Sequence, residues 1–432
     1  MDMRRVPTKS AILSIVVATC FASAADATII YNTAGTTNIT TTIVDNAIVD
    51  NAATTVNVGT GGTISGVNDP SLGQFNAAVR TRHGNLNVTG TGRILAASGQ
   101  AAINMTGTPS VVRLSNNSRV VGNIVNEFTP PGWSAESTSL VKLYLEDKAR
   151  VTGNITYAGF MRIEDNARVI GSIINGANGS YSLDMRGGTV TGQVVMGGLN
   201  DYVFNMSGGS ILGGVRGAAG YMDLMMTGGT INGGFNTGDG VTGGIYGGSI
   251  NGGIDLIANA SSGSSHLTID GGAFNTTAGD YLFQMIRQPF GTSSHSSLDL
   301  YGGEFGYVEG GLGFFFDYLS DFSVYGWDLT YTGGILSGYL LDGSWFSNAL
   351  SFGASWAGAF NIYNVMAPMS MSMSEPMALM ASLDPLATSM TSLETQSVPE
   401  PGTLGLLAAC ALGMMVFGRR RLASRGGEFV LA

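Results

Sequence analysis

Leu183-Asp184-Met185-Arg186-Gly187-Gly188-Thr189-Val190-Thr191-Gly192-Gln193-Val194 recurs twice downstream with conserved chemistry. The copies are Phe204-Asn205-Met206-Ser207-Gly208-Gly209-Ser210-Ile211-Leu212-Gly213-Gly214-Val215 and Leu224-Met225-Met226-Thr227-Gly228-Gly229-Thr230-Ile231-Asn232-Gly233-Gly234-Phe235. A further copy is built on Gly247-Gly248-Ser249-Ile250-Asn251-Gly252-Gly253-Ile254, and looser ones follow at Gly271-Gly272 and Gly302-Gly303. The first glycines lie 21, 20 and 19 residues apart. Within a unit the period is two. Met185, Met206, Met226, Ile269 and Leu300 precede the glycine pair by two residues, and Leu183, Phe204, Leu224, Leu267 and Leu298 by four. The residues between them are Asp184, Asn205, Met225, Thr268 and Asp299, mostly polar. A strand with one buried face requires that alternation. After the glycines come Val190, Ile211, Ile231, Ile250 and Phe274, with Val194, Val215, Phe235 and Ile254 four residues further on, read as pointing the same way along a second strand.

Upstream the glycine pair is replaced. Asn117-Ser118-Arg119-Val120-Val121-Gly122, Lys148-Ala149-Arg150-Val151-Thr152-Gly153 and Asn166-Ala167-Arg168-Val169-Ile170-Gly171 keep the apolar position and the trailing glycine. Units of about 20 residues made of strand, corner and strand predict an all-β chain, a parallel β-solenoid (β-helix) in which equivalent side chains form apolar ladders. Met185, Met206, Met226, Val190, Ile211, Ile231 and Ile250 are its expected core. Gly187, Gly188, Gly208, Gly209, Gly228, Gly229, Gly247 and Gly248 are its expected corners, where positive φ excludes a side chain. An antiparallel sandwich or barrel would show strands near every ten residues with hairpin turns. A glycine-rich disordered region would lack the apolar ladder.

The expected organisation is a repeat domain over 25–320, a β-rich cap over 321–366 and a disordered stalk over 367–397. Residues 27–69 read as the first coils, and Pro130, Pro131 and Trp133 mark a loop excursion. In the stalk, seven residues from Met366 to Met390 are methionine, mixed with Ser, Pro and Ala. Thioethers can hold Cu(I), but no His or Cys accompanies them.

Charged residues are 12% of the chain, against about 25% in ordinary globular proteins. Residues 25–397 hold 13 basic and 27 acidic side chains, a net of −14. That balance argues against nucleic acid or anionic lipid as the general partner. The two cysteines, Cys20 and Cys410, both lie outside 25–397, which excludes a disulfide, thiolate nucleophile or cysteine-held metal between them.

The two ends read as export signals. Arg4, Arg5 and Lys9 precede an apolar run from Ala11 to Ala22, and Ala22-Ser23-Ala24 supplies small residues for cleavage. Residues 1–24 thus read as a signal peptide with a short helix. At the other end Val398-Pro399-Glu400-Pro401 is followed by an apolar run from Leu404 to Phe417 and by Arg419, Arg420 and Arg421. That run is shorter than the roughly 20 residues that span a bilayer comfortably. In motif and order, 398–421 resembles the PEP-CTERM sorting signal of Gram-negative bacteria. The departure is the 422–432 tail, since the family usually stops soon after the arginines. The resemblance implies a hydrophobic C-terminal helix held transiently in the inner membrane. It implies an exosortase-type processing enzyme as partner, and then residence at the cell surface or in the extracellular matrix. Extracellular polysaccharide is the partner class such systems suggest. The segment 321–352 is similar to the strand-rich stretch that often closes repeat regions in PEP-CTERM proteins.

Catalytic patterns are scarce. There is no phosphate-binding loop ending in Lys-Ser/Thr, no Gly-x-Ser-x-Gly elbow and no His-Glu-x-x-His. His266 is placed before a strand, and His83 and His295 in polar loops. Asp184 and Asp299 share an outward ladder position several coils apart. Asp201, Asp223 and Asp239 are placed in or near turns, where aspartates bond their own backbone. Asn236-Thr237-Gly238-Asp239-Gly240 departs from known Ca²⁺ loops. The expectation is a non-enzymatic protein with no cofactor and no metal: an exported structural or adhesive β-solenoid. Its rivals are a carbohydrate-active β-helix enzyme, either a polysaccharide lyase such as the pectate-lyase type or a glycoside hydrolase, and an autotransporter-like passenger, the latter lacking a following series of barrel strands.

Overall fold

The computed structural model describes residues 28–367, apart from stretches at 70–75, 108, 127–140, 158, 176–180, 198–201, 218–219, 239, 259–264, 277–279, 288–294, 307–311, 318 and 355. The signal peptide, the cleavage residues Ala22 and Ala24, the stalk beyond 367, the sorting motif 398–421, the tail, and the Pro130-Pro131-Trp133 excursion lie outside the described residues. Those residues are all-β: 33 strands hydrogen-bonded into one sheet, with no helix among them.

Up to Ser320–Val324 the pairing rule is uniform: each strand lies parallel to its counterpart in the next repeat, so like side chains stand on like. One column reads Ile39, Val58, Val88, Leu114, Leu145, Ile163, Met185, Met206, Met226, Ile245, Ile269, Leu300, Val324. A second reads Ile64, Ile94, Val120, Val151, Val169, Val190, Ile211, Ile231, Ile250, Phe274. Every residue of both columns is buried. Rungs advance by as few as 18 residues (Val151 to Val169) and as many as 31 (Val120 to Val151). Insertions therefore leave the register intact.

A third column runs Ile103, Ile124, Ile155, Ile173, Val194, Val215, Phe235, Ile254, Phe283. Here the two-strand reading of the repeat needs correction. Val190 ends the strand Tyr181–Val190, and Val194 opens a separate strand, Val194–Met196. The chain bends between them at Gly192, where an added Cβ would sit 2.6 Å from the Gly171 carbonyl oxygen. Each rung therefore has three faces, one with strands of five residues in Ser110–Leu114, Val141–Leu145 and Gly159–Ile163, and two that are mostly shorter, as in Arg150–Thr152 and Ile155–Tyr157.

The paired glycines also behave differently from simple corners between strands. The strand Tyr181–Val190 continues through Gly187 and Gly188, with register shifts on either side of Arg186. The bend is a bulge inside a strand, and the second glycine of the pair carries it. Gly209 has φ of 83°, and a Cβ there would lie 2.3 Å from the Gly187 carbonyl oxygen and 2.7 Å from the Met185 Cε. The methionine methyl of one rung thus rests on the bare Cα of the next. Met206 stands in the same relation to Gly229, and Met226 to Gly248. An unbranched, adaptable side chain suits a slot that only glycine leaves open. In the upstream rungs the bend uses Asn116, Asp147 and Asp165 at φ of 58°, 59° and 56°. These residue types tolerate left-handed backbone better than most.

At the C-terminal end the ladder passes directly into the segment read as a cap. Ser320–Val324 pairs in parallel with Ser296–Leu300 as an ordinary rung. The same strand then turns into an antiparallel meander with Ile335–Leu340 and Trp345–Phe352, and Phe360–Asn364 adds a last parallel strand. Phe346 of the meander packs edge-on against Phe305 and Phe314, at 5.4 and 5.5 Å between centroids, closing the core.

Met206→Ala should lower unfolding stability by about 2–5 kcal/mol in denaturant titration, as expected for a buried cavity in a core that cannot collapse. Gly209→Val should cost more than Ser210→Val, because only the former forces a β-branched residue into positive φ against a backbone oxygen.

Candidate functional site

The outward faces of the rungs carry the polar residues, and most are satisfied within the stack. The outward position of the first column reads Arg113, Tyr144, Arg162, Asp184, Asn205. Arg113 and Arg162 lie 5.0 and 6.0 Å from the Tyr144 ring centroid. Arg113 pairs with Glu146 at 3.2 Å, and Asp184 accepts from Arg162 and Arg186 at 3.0 Å each. Asp184 and Asp299 do share one register column, separated by Asn205, Met225, Gly244 and Thr268. Asparagine amides form their own ladders, as from Asn251 to Asn232 at 2.8 Å and from Asn275 to Asn251 at 3.1 Å.

Two of the three histidines, His83 and His266, are placed differently from the reading of the sequence. His83 lies within the strand Ala77–Val88, His266 within Ser265–Asn275, and His295 immediately before Ser296–Phe305. His266 Nδ1 is 2.8 Å from the Ser297 hydroxyl, and its Nε2 is 3.7 Å from Asp299. That resembles a serine–histidine–carboxylate set, but the geometry is poor. The carboxylate is beyond hydrogen-bond distance. Ser297 also sits in a strand paired in parallel on both sides, which leaves no cluster of free N–H groups for an oxyanion. His295 Nε2 lies 3.4 Å from Asp321. Asp223 is mid-strand in Tyr221–Asn232 rather than in a turn, while Asp201 and Asp239 lie outside the described residues. No group of three His, Cys, Asp or Glu among the described residues could hold a metal ion.

The most distinctive surface is the outer face of the antiparallel meander. Thr332 and Ile335 are joined by Gly333-Gly334 at φ of 61° and 83°, the positive pair that a two-residue type I′ hairpin turn demands. Trp327 is the cross-strand partner of Tyr339, and Tyr339 that of Trp345. The three rings form a row across three strands, with Trp327 and Tyr339 stacked in nearly parallel planes at 5.7 Å and Trp345 edge-on to Tyr339 at 4.9 Å. Trp345 is 57% exposed and Tyr339 39%. Beside this row stands a row of hydroxyls, Thr330, Ser337 and Ser347. The two rows align because a bulge lies between Trp327 and Thr330, with Asp328 at φ of 55°. Asn364 holds the bulge, accepting from the Leu329 N–H at 2.8 Å and donating to its carbonyl at 3.0 Å.

A second aromatic column, Tyr301, Tyr325 and Tyr363, is built differently. Its rings stack face to face at 4.3 and 4.6 Å. Their faces are used on each other, so the column reads as structural.

The loop closing the meander docks on Gly302 and Gly303. Asp342 accepts from the Gly303 N–H at 2.6 Å and from Ser344 N–H and hydroxyl at 2.9 and 2.6 Å, and the Leu341 N–H donates to the Tyr301 carbonyl at 2.8 Å. Asp270 lies close enough to feel this carboxylate. Desolvation first, then the charge of Asp342, raises its pKa above the ordinary 3.8. The folded chain therefore binds this proton more tightly than the unfolded chain, and stability falls as pH rises from 3.8 through the raised folded value. Asp270→Asn should raise the thermal midpoint at pH 7, with the gain vanishing below pH 3.8 in scans across pH.

A family model described as the PEP-CTERM protein-sorting motif matches residues 397–421. The match covers Val398, Pro399, Glu400, Pro401 and the three arginines Arg419, Arg420 and Arg421. No curated protein and no solved structure matches the chain. The motif marks an exported protein that an exosortase handles at the membrane on its way to the cell surface.

Proposed function

We propose that the chain forms a parallel β-solenoid that serves, without catalysis, as a structural and adhesive rod at the surface of a Gram-negative cell or in its matrix. The in-register columns support the solenoid reading, because each rung repeats the burial and backbone pairing of the last. The sorting motif supports the destination. The observation that carries adhesion is the row of half-buried Trp327 and exposed Tyr339 and Trp345 beside the hydroxyls of Thr330, Ser337 and Ser347. A sugar ring has an apolar face of C–H groups and an equator of hydroxyls. The exposed Tyr339 and Trp345 rings take the face and the neighbouring hydroxyl row takes the equator. Extracellular polysaccharide is the partner with that chemistry. On this reading the chain passes through the inner membrane only during sorting, and needs no cofactor or metal.

A carbohydrate-active enzyme is the second reading, favoured by Asp270, whose pKa is raised by burial and then by the Asp342 charge. Hydrolysis uses two carboxylates in different protonation states. Asp342, however, already receives three hydrogen bonds from the loop it organises.

Capture of the full-length protein on immobilised neutral galactan should weaken about tenfold in Tyr339→Ala/Trp345→Ala, a loss of about 1.4 kcal/mol, with the thermal midpoint nearly unchanged. Unaltered capture overturns the adhesive reading. Release of sugar fragments by the wild type that is lost in Asp270→Asn establishes the enzyme instead. Mass spectrometry of the surface form should find a start after Ala24 and an end before Arg419. A peptide through Ala432 in that form contradicts the sorting step.

A further inference from the structure

Thirteen lysines and arginines lie between residues 25 and 397. Four of them occupy one register column on consecutive rungs: Arg93 pairs with Arg119, Arg119 with Arg150, and Arg150 with Arg168. All four are exposed. The column continues as hydroxyls on both sides, with Thr63 before Arg93 and Thr189, Ser210, Thr230 and Ser249 after Arg168.

Like charges directly opposite on paired strands are destabilising. On the neighbouring face the chain neutralises its arginines. Arg113 and Arg162 flank Tyr144 and end on Glu146 and Asp184. On this face it does not. None of the four column arginines makes an ion pair or side-chain hydrogen bond with the described residues. The carboxylates nearest in sequence to Arg150 and Arg168 are turned to the backbone: Asp147 accepts from the Asn116 N–H at 2.9 Å, and Asp165 from the Asp147 N–H at 3.2 Å. An acidic protein thus keeps an uncompensated cationic stripe, fixed by strand pairing to one charge per strand spacing, about 4.8 Å.

We propose that the column Arg93–Arg119–Arg150–Arg168 is a binding track for a linear acidic polysaccharide, one carboxylate-bearing sugar to each rung. A polyuronate carries one carboxylate per ring along an extended chain, a repeat commensurate with strand spacing. Guanidinium groups receive carboxylates through paired N–H donors. The flanking threonines and serines offer hydroxyls to the rings that continue beyond the charges. Nucleic acid fits less well. Duplex phosphates recur about every 3.4 Å along each strand, and single strands are held on aromatic platforms, of which this column has none. The inference rests on the export reading for where the polymer is met, but it uses a face separate from the Trp345 row.

The test is binding of the full-length protein to polygalacturonate, neutral galactan and oligodeoxythymidylate at fixed salt. Arg119→Gln/Arg150→Gln should weaken polygalacturonate binding at least about tenfold. Lys142→Gln/Arg216→Gln, with the same change in net charge on the other two faces, should weaken it less than threefold. The column variant should melt no lower than wild type, because a repulsion is relieved. Polygalacturonate, but not galactan, should raise the wild-type thermal midpoint. Equal losses in the two double variants, no loss in either, tighter binding to oligodeoxythymidylate, or no midpoint shift each overturns the track. Galactan capture through the Trp345 row is read separately, so a failure here is distinguishable from a failure of adhesion.

Discussion

Parallel pairing in register is the constraint on which the molecule depends. It places each side chain directly over its counterpart, so one residue choice is tested against the same choice on the rungs above and below. Apolar columns then bury themselves whatever the length of the excursion between rungs. The 31-residue step from Val120 to Val151 and the 18-residue step from Val151 to Val169 preserve the same alignment. The strand ladders also satisfy the backbone donors and acceptors that burial would otherwise leave unpaired. The unit of tolerance is therefore the loop, and the unit of intolerance is the column.

The same rule makes the surface a set of columns, each with its own chemistry. Where the column holds asparagine, amides bond along it. Where it holds alternating arginine, tyrosine and aspartate, charges cancel within it. Where it holds four arginines, nothing in the described chain cancels them, and the stack presents a fixed array. The C-terminal meander escapes the rule. Its antiparallel pairing sets residues from within 20 positions of one another side by side, and this brings Trp327, Tyr339 and Trp345 into one row. Periodic recognition along the stack and a local platform at its end are consequences of two kinds of strand pairing.

Much of the core could be read from the sequence, because the downstream repeat is nearly uniform. Met185, Met206 and Met226 fall on one column and Val190, Ile211, Ile231 and Ile250 on another, with the alternation that a one-sided strand requires. The third face was harder. Val190 and Val194 keep the same spacing whether the strand continues or bends, and only the backbone at Gly192 distinguishes the two. His83 looked like a loop residue and His266 like the residue before a strand because polar neighbours surround them, yet the outward positions of a strand are polar by design. The upstream repeats already align Arg119, Arg150 and Arg168, and strand pairing adds Arg93 to that column, while the aromatic row was hidden by a bulge that sets residues three apart on one face. The sorting motif was legible for a different reason: its order of Pro-Glu-Pro, apolar run and arginines is read by another enzyme, so the signal lies in the linear sequence.

Cross-linking tests the register most directly, since the chain has no cysteine other than Cys20 and Cys410. With those two replaced by alanine, Ser210→Cys/Thr230→Cys joins register partners, whose separation of about 4.8 Å suits a disulfide. Thr189→Cys/Thr230→Cys joins positions two rungs apart, at about twice that spacing. Mild oxidation should close the first pair within one chain and leave the second as thiols. An open first pair, or a second pair that closes as readily, would contradict the in-register stack.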